Sequence, residues 1–416
     1  MCIRDSGNGV RVESVARSYD QFLTLEVRDT TSTFARADRF SELAAHIDDV
    51  LADPQGGISP ILADFFASVQ DVADDPASIA ARYTMINTAQ TLASRFQSID
   101  SRFEELAQNT RNDIGDTVDE INSLVTQNRD LNISLNEIAP SAVSTQQAAD
   151  LLDRRDSLLD QHAQNVDISV IDERENNLSI FIGNGQTILN GTEAFALTTQ
   201  PDVSDPTRDV IAYNGLITVY DISDNLSGGE LGGLLGFRDN VLDPTRNALG
   251  RTAIGIAETF NAQMRDGMDL NGNLGQDFFS YSAPQSIASA SNTGTPTVST
   301  VISDITAVTT DDYQLSFDGA NWTLTSDSGS SASVANGTPA TLVFEGLTLT
   351  IDGATAVAGD RFTIKPTLAG SDSLQVIMTD PATVAAALPV RSSASLNNLG
   401  DVDISAGIVT DVTDVN

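Results

Sequence analysis

Apolar residues recur at intervals of three and four over most of the first 165 residues, which is the spacing of one face of an α-helix. The longest such stretch lies between Pro76 and Pro140, and no other proline interrupts it. We predict a helix of coiled-coil type there, with Asp75 as its cap and Asn128 as a polar residue on the inward face. A similar stripe from Phe22 to Leu51 predicts another long helix, which ends at the helix-breaking stretch DPQGG.

From Val166 the apolar positions change to a period of two, which is typical of strands with one buried face. Residues 168–190 alternate in this way around the turn Gly183–Gly185 and predict hairpins. Residues 210–222 predict a further pair of strands around Asn214-Gly215, because that dipeptide suits a two-residue hairpin turn.

Helical spacing returns after these strands, from Leu231 onward. Asp243 and Pro244 predict a fresh helix start, since aspartate caps helices and proline is tolerated in the first turn. Beyond Ser280 the composition shifts to Ser, Thr, Gly and Ala, with short alternating runs between turn residues. These runs predict a small all-β module at roughly 300–366.

This order of elements predicts a multidomain α+β protein, in which a long helical rod or bundle domain carries inserted all-β domains. We expect six segments: an artefact leader at 1–6, the N-terminal part of the rod at 7–165, a small β domain at 166–224, a helical segment returning to the rod at 225–280, a second β domain at 281–375, and a truncated C-terminal segment at 376–416.

The charge of the chain is strongly unbalanced, with 58 acidic against 22 basic residues and a formal net charge of −36. Such a surface repels nucleic acid and anionic lipid, so we expect neither as a partner. No apolar run approaches the roughly 18–20 residues that span a bilayer, and the start of the chain lacks the pattern of a cleaved secretory signal. Cys2 is the only cysteine, which excludes an internal disulfide and a thiolate metal cluster.

Residues suited to catalysis are sparse in the sequence. The two histidines, His46 and His162, lie in helical stretches with no nucleophile or metal motif beside them. The glycines of Gly183–Gly185 are interpreted as a turn and not as a nucleotide-binding loop. We therefore expect no catalytic residue and no cofactor, and the chain is predicted not to be an enzyme.

The stretch GMDLNGNLGQDFF, residues 267–279, resembles a calcium-binding loop in part. Asp269, Asn271 and Asn273 fit the first ligand positions of an EF-hand, which also needs glycine at its sixth position and glutamate at its twelfth. Leu274 and Ser280 occupy those two positions here. We interpret the stretch as a glycine-built turn that leads from a helix into the β module, and an extracellular calcium-stabilised binding module is the alternative.

Four stretches of the chain together resemble one protein family: 7–23 (GNGVRVESVARSYDQFL), 64–82 (DFFASVQDVADDPASIAAR), 151–159 (LLDRRDSLL) and, most specifically, 231–279 with its Leu-Gly-Gly, Phe-Arg, Arg-Asn, Phe-Asn and Asp-Phe-Phe motifs. The residues that carry the resemblance are Tyr19, Asp20, Phe22, Asp64, Phe65, Phe66, Leu152, Asp153, Arg155, Asp156, Phe237, Arg238, Arg246, Asn247, Phe260, Asn261, Asp269, Asn271, Gly272, Asp277, Phe278 and Phe279. The family is that of flagellar hook-associated protein 1, and the resemblance covers essentially residues 7–370.

The resemblance implies a structural subunit that forms the hook–filament junction of the bacterial flagellum by axial polymerisation. It implies a ring of like subunits as the first partner, with the hook protein and the filament-side junction protein on either side. It also implies an extracellular location after export by the flagellar secretion apparatus, without a cleaved signal peptide.

The terminal segments of such a protein are expected to be missing from this sequence at both ends, including the tail that an export chaperone would bind. Other axial flagellar proteins, namely flagellin or the second junction protein, are alternatives within the same assembly. A coiled-coil adhesin is a further alternative from another class, but the chain lacks the unbroken heptads and internal repeats that an adhesin of this kind predicts.

Overall fold

The computed structural model describes residues 20–52, 57–138, 146–172, 177–215 and 219–387. These residues fall into two compact units: unit 1 takes those within 1–44, 108–202 and 207–239, and unit 2 takes those within 45–107, 203–206 and 240–416. The predicted leader at 1–6 lies outside the described residues. The six-segment division is finer than these two units and stays a prediction.

Six α-helices lie in the described ranges: α1 Gln21–Leu51, α2 Ile58–Asp74, α3 Ile79–Asn136, α4 Gln146–Asn165, α5 Gly229–Phe237 and α6 Asp243–Arg265. The prediction of a long helical region is confirmed, and α3 is one uninterrupted helix of 58 residues. None of the helices in these ranges is long and apolar enough to cross a membrane.

The start of α3 differs from the sequence-based prediction. Asp75 does not cap α3 but closes α2, where its N–H donates to the carbonyl oxygen of Asp71 at 3.2 Å. The residue before a proline is disfavoured in the helical region, and Asp75 accordingly leaves it ahead of Pro76. Ser78 opens α3 instead, because its hydroxyl accepts a hydrogen bond from the N–H of Ala81 at 3.3 Å.

The helical segment after residue 228 is also more continuous than predicted. One π-helical turn, Arg238–Leu242, joins α5 directly to α6. Pro244 lies within the first turn of α6, where a proline is tolerated. The predicted helix start at Asp243 is therefore confirmed as the first residue of α6, but Asp243 does not cap the helix, because the π turn before it continues directly into α6.

Antiparallel strands in unit 1 form two small sheets. One sheet has the order β1-β2-β3-β4 and the other β5-β6-β7. The strands are β1 Ile168–Asp172, β2 Leu178–Ile182, β3 Gln186–Asn190, β4 Glu193–Ala194, β5 Leu197–Pro201, β6 Asp209–Asn214 and β7 Val219–Asp221. Asn214 pairs with Val219, so it belongs to a strand, and the predicted two-residue turn Asn214-Gly215 is wrong.

The strands of unit 2 form a five-stranded sheet of order β13-β12-β11-β16-β9, a three-stranded sheet of order β10-β15-β14, and the short pair β8-β17. The strands are β8 Phe279–Ser280, β9 Gln285–Ala288, β10 Thr297–Ile302, β11 Tyr313–Phe317, β12 Asn321–Ser326, β13 Ser331–Ala335, β14 Ala340–Phe344, β15 Leu347–Asp352, β16 Arg361–Lys365 and β17 Gln375–Val376. The two larger sheets share one apolar core, so this β module packs around alternate residues as predicted.

Alternation decides which strand residues enter the core of the β module. Tyr313, Leu315 and Phe317 of β11 are buried, and Trp322 stacks on Phe317 with ring centroids 4.7 Å apart. Burying a large aromatic or aliphatic side chain contributes about 1.5–3 kcal/mol, so a few such residues stabilise a small module.

The apolar stripe of α3 is buried in each unit along its length. Phe96 and Phe103 are fully buried in unit 2, and Val118 and Ile121 are buried in unit 1. Asn128 is 0% exposed, as its inward position in the repeat predicts, and its amide donates to the carbonyl oxygen of Leu124 at 3.0 Å. A polar residue at such a position restricts the register of packed helices.

Candidate functional site

Four phenylalanines that carry the sequence motifs meet in unit 2. Phe65 of α2 lies 5.3 Å from Phe260 of α6, measured between ring centroids, and 6.0 Å from Phe279. Phe278 lies 5.0 Å from Phe260 and 4.9 Å from Phe279. We call these four residues the aromatic joint. Tilted and edge-on ring pairs add about 0.5–1.5 kcal/mol each beyond the burial of their area, so the joint fixes α2 and α6 to the strand that follows.

Asn261 connects the aromatic joint to the backbone behind it. Its side-chain oxygen accepts hydrogen bonds from the N–H groups of Phe278 and Phe279 at 2.8 and 2.9 Å. Its side-chain nitrogen donates to the carbonyl oxygen of Phe279 at 2.9 Å. The residue is 2% exposed, so all three bonds are shielded from water. Asparagine suits this position because one planar amide both accepts and donates.

The loop before the joint resembles part of a calcium-binding loop in sequence. Hydrogen bonds to the side chain of Asp269 hold this loop together. One oxygen of its carboxylate accepts from the backbone N–H groups of Asn271 and Asn273, each at 2.8 Å. The hydrogen bond from the N–H of Asn273 is the main reason that the pKa of Asp269 is lowered. Gly272 adopts a φ of +82°, as the tight reversal requires.

The carboxylate of Asp269 is thus used for hydrogen bonds within its own loop. The side-chain nitrogens of Asn271 and Asn273 lie 3.4 Å from its second oxygen, so both amides turn donors toward it. In this arrangement both oxygens of the Asp269 carboxylate accept hydrogen bonds from within the loop. In the part of the chain that the structure describes, no group of three or more His, Cys, Asp or Glu residues could hold a metal ion.

Two further features close the loop against α6. A Cβ added to Gly275 would lie 1.9 Å from the carbonyl oxygen of Met264 and 2.6 Å from the Cβ of Ala385, so only glycine fits. Arg265 donates to the carboxylate of Asp277 at 2.6 Å, and this hydrogen bond is the main reason that the pKa of the guanidinium is raised. The motif residue Asp277 therefore holds the last turn of α6.

Arg82 is a structural residue that we did not single out from the sequence. The residue is 1% exposed, and its guanidinium donates to three carbonyl oxygens, those of Pro76 at 2.8 Å, Pro381 at 3.1 Å and Val384. Burial lowers its pKa, and the nearby charge of Asp269 acts in the opposite direction. The Ala-Arg pair that ends the 64–82 stretch was the one sequence feature that could have marked Arg82. The carbonyl oxygens of Pro381 and Val384 that it binds lie about 300 residues further along the chain.

Backbone hydrogen bonds hold the same C-terminal segment to the loop. The N–H of Met268 donates to the carbonyl oxygen of Ala387 at 2.8 Å, and the N–H of Leu270 donates to that of Ala382 at 3.1 Å. Residues 381–387 are thus fixed between the start of α3 and the loop of unit 2. Residues 388–416 of the predicted C-terminal segment lie outside the described residues.

Two other motif residues, Arg246 and Asn247, lie at the start of α6. Asn247 donates to the carbonyl oxygen of Thr310 at 3.0 Å and to the carboxylate of Asp312 at 3.1 Å. Burial raises the pKa of Asp312 to about 7. Arg246 contacts Glu104 of α3 at 2.5 Å. Both residues therefore anchor α6 to neighbouring elements of unit 2.

The remaining charged motif residues lie in unit 1. Arg238 donates to the carbonyl oxygen of Asp209 at 2.8 Å, and the neighbouring Phe237 is fully buried. Arg155 of α4 contacts Asp172 at 3.3 Å, and Asp156 contacts the buried Arg28 of α1 at 3.2 Å.

The other motif residues lie at the surface or outside the described ranges. Asp20, Phe22, Asp64, Phe66 and Asp153 are exposed, Leu152 is half-buried, and Tyr19 is outside the described residues. Asp20 caps α1, since its carboxylate accepts from the N–H of Leu23 at 3.1 Å. The structure thus gathers the motif residues of 260–279 and Phe65 in one place and leaves the others in separate packing contacts.

Neither histidine belongs to this site. His46 is exposed on α1. His162 is 0% exposed on α4, and burial lowers its pKa to about 4, so it is neutral near pH 7. The contacts of the aromatic joint are those of packing and of hydrogen bonds that fix the backbone.

Two sequence profiles match the chain. The flagellar hook-associated protein FlgK helical domain matches residues 44–279, and the D2-like domain of flagellar hook-associated protein 1 matches residues 287–366. Flagellar hook-associated protein 1 of Escherichia coli K12 is 32% identical over 397 residues, which cover 95% of this chain and 72% of that protein. The protein of the same name in Salmonella typhimurium LT2 is 33% identical over 402 residues, with the same coverage of both chains.

A solved structure is similar as well. The flagellar hook junction protein FlgK from Burkholderia pseudomallei superposes with a TM-score of 0.80 at 32% identity, over 88% of this chain and 66% of that one. The fold and these matches define a component of the bacterial flagellum. The chain belongs to the flagellar hook-associated protein 1 family, the structural subunits of the junction between hook and filament.

Proposed function

We propose that copies of this chain assemble into a ring that joins the hook mechanically to the filament. The observation that carries this proposal is the match to flagellar hook-associated protein 1 over 95% of the chain, together with a solved hook junction protein of the same fold. The long helices α1 and α3 support it, because amphipathic helices with apolar stripes suit repeated lateral packing.

The proposed role is mechanical and not enzymatic. The aromatic joint and Asn261 transmit load between α2, α6 and the following strand through packing and buried hydrogen bonds. Interiors that are packed in this way have low compressibility and transmit strain. We propose that the motif residues of the resemblance act structurally, and that the six segments predicted from the sequence are its domains.

The proposed partners follow from the junction role. They are like copies of this chain in the ring, the hook protein on one side and the filament-side junction protein on the other. The proposed location is the outside of the cell, after export by the flagellar secretion apparatus with the help of an export chaperone. A net charge of −36 supports the exclusion of nucleic acid and anionic membranes as partners.

Deletion of the gene in the bacterium that encodes it tests the junction role. We expect deleted cells to carry hooks without filaments, seen by electron microscopy, and to release flagellin into the medium. The intact gene should restore filaments, and so should the control Asn87→Leu at an exposed position of α3, whereas Asn261→Leu in the joint should restore fewer. Normal filaments on deleted cells would refute the proposed function.

A further inference from the structure

Helix α1 carries an apolar stripe that faces solvent in this chain. Leu23, Val27 and Phe34 are 58%, 51% and 66% exposed, and their spacing of four and seven residues places them on one face. Arg28 and Ser32, on the opposite face, are buried within unit 1. Three large apolar side chains in line on a solvent-facing helix surface mark an interaction site more often than isolated ones do.

The charged residues beside this stripe are acidic. At 100° per residue, Glu26 lies on one side of it, and Asp20 and Asp38 lie on the other, and all three are exposed. The stripe is therefore an apolar surface with a negative border.

Unit 2 contains a groove of about 600 Å³ that has a basic residue and no acidic residue in its lining. Its lining includes Phe66 of α2, Gly255 and Ile256 of α6, and Ile305 from the segment after β10. None of its lining residues is acidic, although the chain carries 58 acids, and its single charged residue is Arg251.

We propose that the α1 stripe of one copy docks into the groove of another copy. Copies with a net charge of −36 repel each other over most of their surface, so they can approach only where carboxylates are absent or are met by a cation. The groove provides both conditions: its lining is mostly apolar, and Arg251, whose Nε donates to the carbonyl oxygen of Val308 at 2.6 Å, supplies a cation to meet the acidic border of the stripe.

The contact joins two different surfaces of the chain, so the copy that gives its stripe keeps a free groove, and the copy that gives its groove keeps a free stripe. Such a heterologous contact repeats and generates rings or helical assemblies. This inference rests on the proposed function, because it names the surfaces through which the copies associate.

Cross-linking of the full chain between single-cysteine variants tests the contact directly. In a Cys2→Ser background, Val27→Cys is mixed with Thr259→Cys, an exposed position in the groove, and treated with a short bis-maleimide. The matched control replaces the first variant by Val343→Cys on β14, which is 64% exposed and lies outside both surfaces. We expect a covalent dimer from the first mixture at several times the yield of the control.

Sedimentation of aspartate variants gives an independent measurement. Burial of one large apolar side chain is enough to change a dissociation constant tenfold or more. Phe34→Asp should therefore weaken self-association at least tenfold, and the control Val343→Asp should leave it within twofold. Circular dichroism of each variant confirms that the helices are retained.

Three results would overturn the contact: equal cross-linking in the two mixtures, no self-association at any concentration, or equal effects of the two aspartate variants. Protection of Thr259→Cys from maleimide in dilute monomer would also overturn it, because the chain itself would then fill the groove. The junction role is tested separately by the gene deletion, so filament loss without a stripe–groove cross-link refutes only the contact.

Discussion

Replacing Asn261 by leucine keeps the volume of the side chain and removes its three hydrogen bonds. The N–H groups of Phe278 and Phe279 and the carbonyl oxygen of Phe279 then lose their partner in a site that water does not reach. Each buried polar group left without a partner costs about 1–3 kcal/mol, so for three groups we expect the free energy of unfolding to fall by about 3–9 kcal/mol. A loss of this size is exceptional for one substitution.

Urea unfolding followed by the fluorescence of Trp322, the only tryptophan of the chain, measures this loss in unit 2. With a urea dependence of roughly 1–3 kcal/mol per molar, the midpoint should fall by about 1 M or more. Hydrogen exchange of the 278–279 amides should accelerate as well, because their acceptor is gone.

The matched control is Asn87→Leu at an exposed position of α3. Since no buried group loses a partner there, its effect should stay within about 0.5 kcal/mol. If both leucine variants unfolded at the same urea concentration, with unchanged exchange at 278–279, the assignment of Asn261 as the clamp of the joint would be wrong.

Four other variants test the packing and the buried titratable groups. Gly275→Ala should lower the free energy of unfolding by about 3 kcal/mol or more, because its Cβ would clash with the backbone of Met264, whereas Gly115→Ala in the open interior of α3 should raise it by up to about 1 kcal/mol. Equal urea midpoints for the two alanine variants would contradict this. The pKa of His162 is about 4 in the folded state, below its unfolded value, so the unfolded state binds the proton more readily. The free energy of unfolding should therefore fall by about 3 kcal/mol as the pH drops from 6.5 to 4. Unfolding followed by helical circular dichroism should show this pH dependence in the unsubstituted chain and lose it in His162→Leu. The pKa of Asp312 is raised to about 7, so its ionisation lowers the free energy of unfolding as the pH rises from 4 to 7. Asp312→Asn should therefore raise the free energy of unfolding by up to about 4 kcal/mol at pH 8 and leave it unchanged at pH 4. An equal rise at the two pH values would refute the raised pKa of Asp312.

Local pattern predicted the elements because local physics decides them. The three-and-four spacing of apolar residues in α3 requires one buried face, and Asn128 lies on it as predicted. The alternation in β11 predicted its buried side chains for the same reason. Boundaries near prolines were less predictable, since Pro76 and Pro244 are each compatible with more than one local arrangement.

The contacts of the candidate site were beyond local reasoning. Sequence shows that Arg82 is an arginine in a helix, which is usually a surface residue, but not that carbonyl oxygens from residues 381 and 384 enclose it. The same holds for Asn261, whose amide is satisfied by the backbone of residues 17 and 18 positions further along the chain. The resemblance marked Phe65, Phe260 and Phe278-Phe279 without indicating that they meet.

The enclosure of Arg82 also sets the order in which the chain can fold. The acceptors for this guanidinium lie 299 and 302 residues after it, whereas the ranges of unit 1 are complete at residue 239. Contacts of such sequence separation form late, because the intervening chain must first be ordered. A chain that emerges N-terminus first can therefore finish unit 1 while unit 2 is still open, and unit 2 closes only when its final segment arrives. The moment at which residues 381–384 emerge, and not only the final packing, then decides when this subunit becomes rigid.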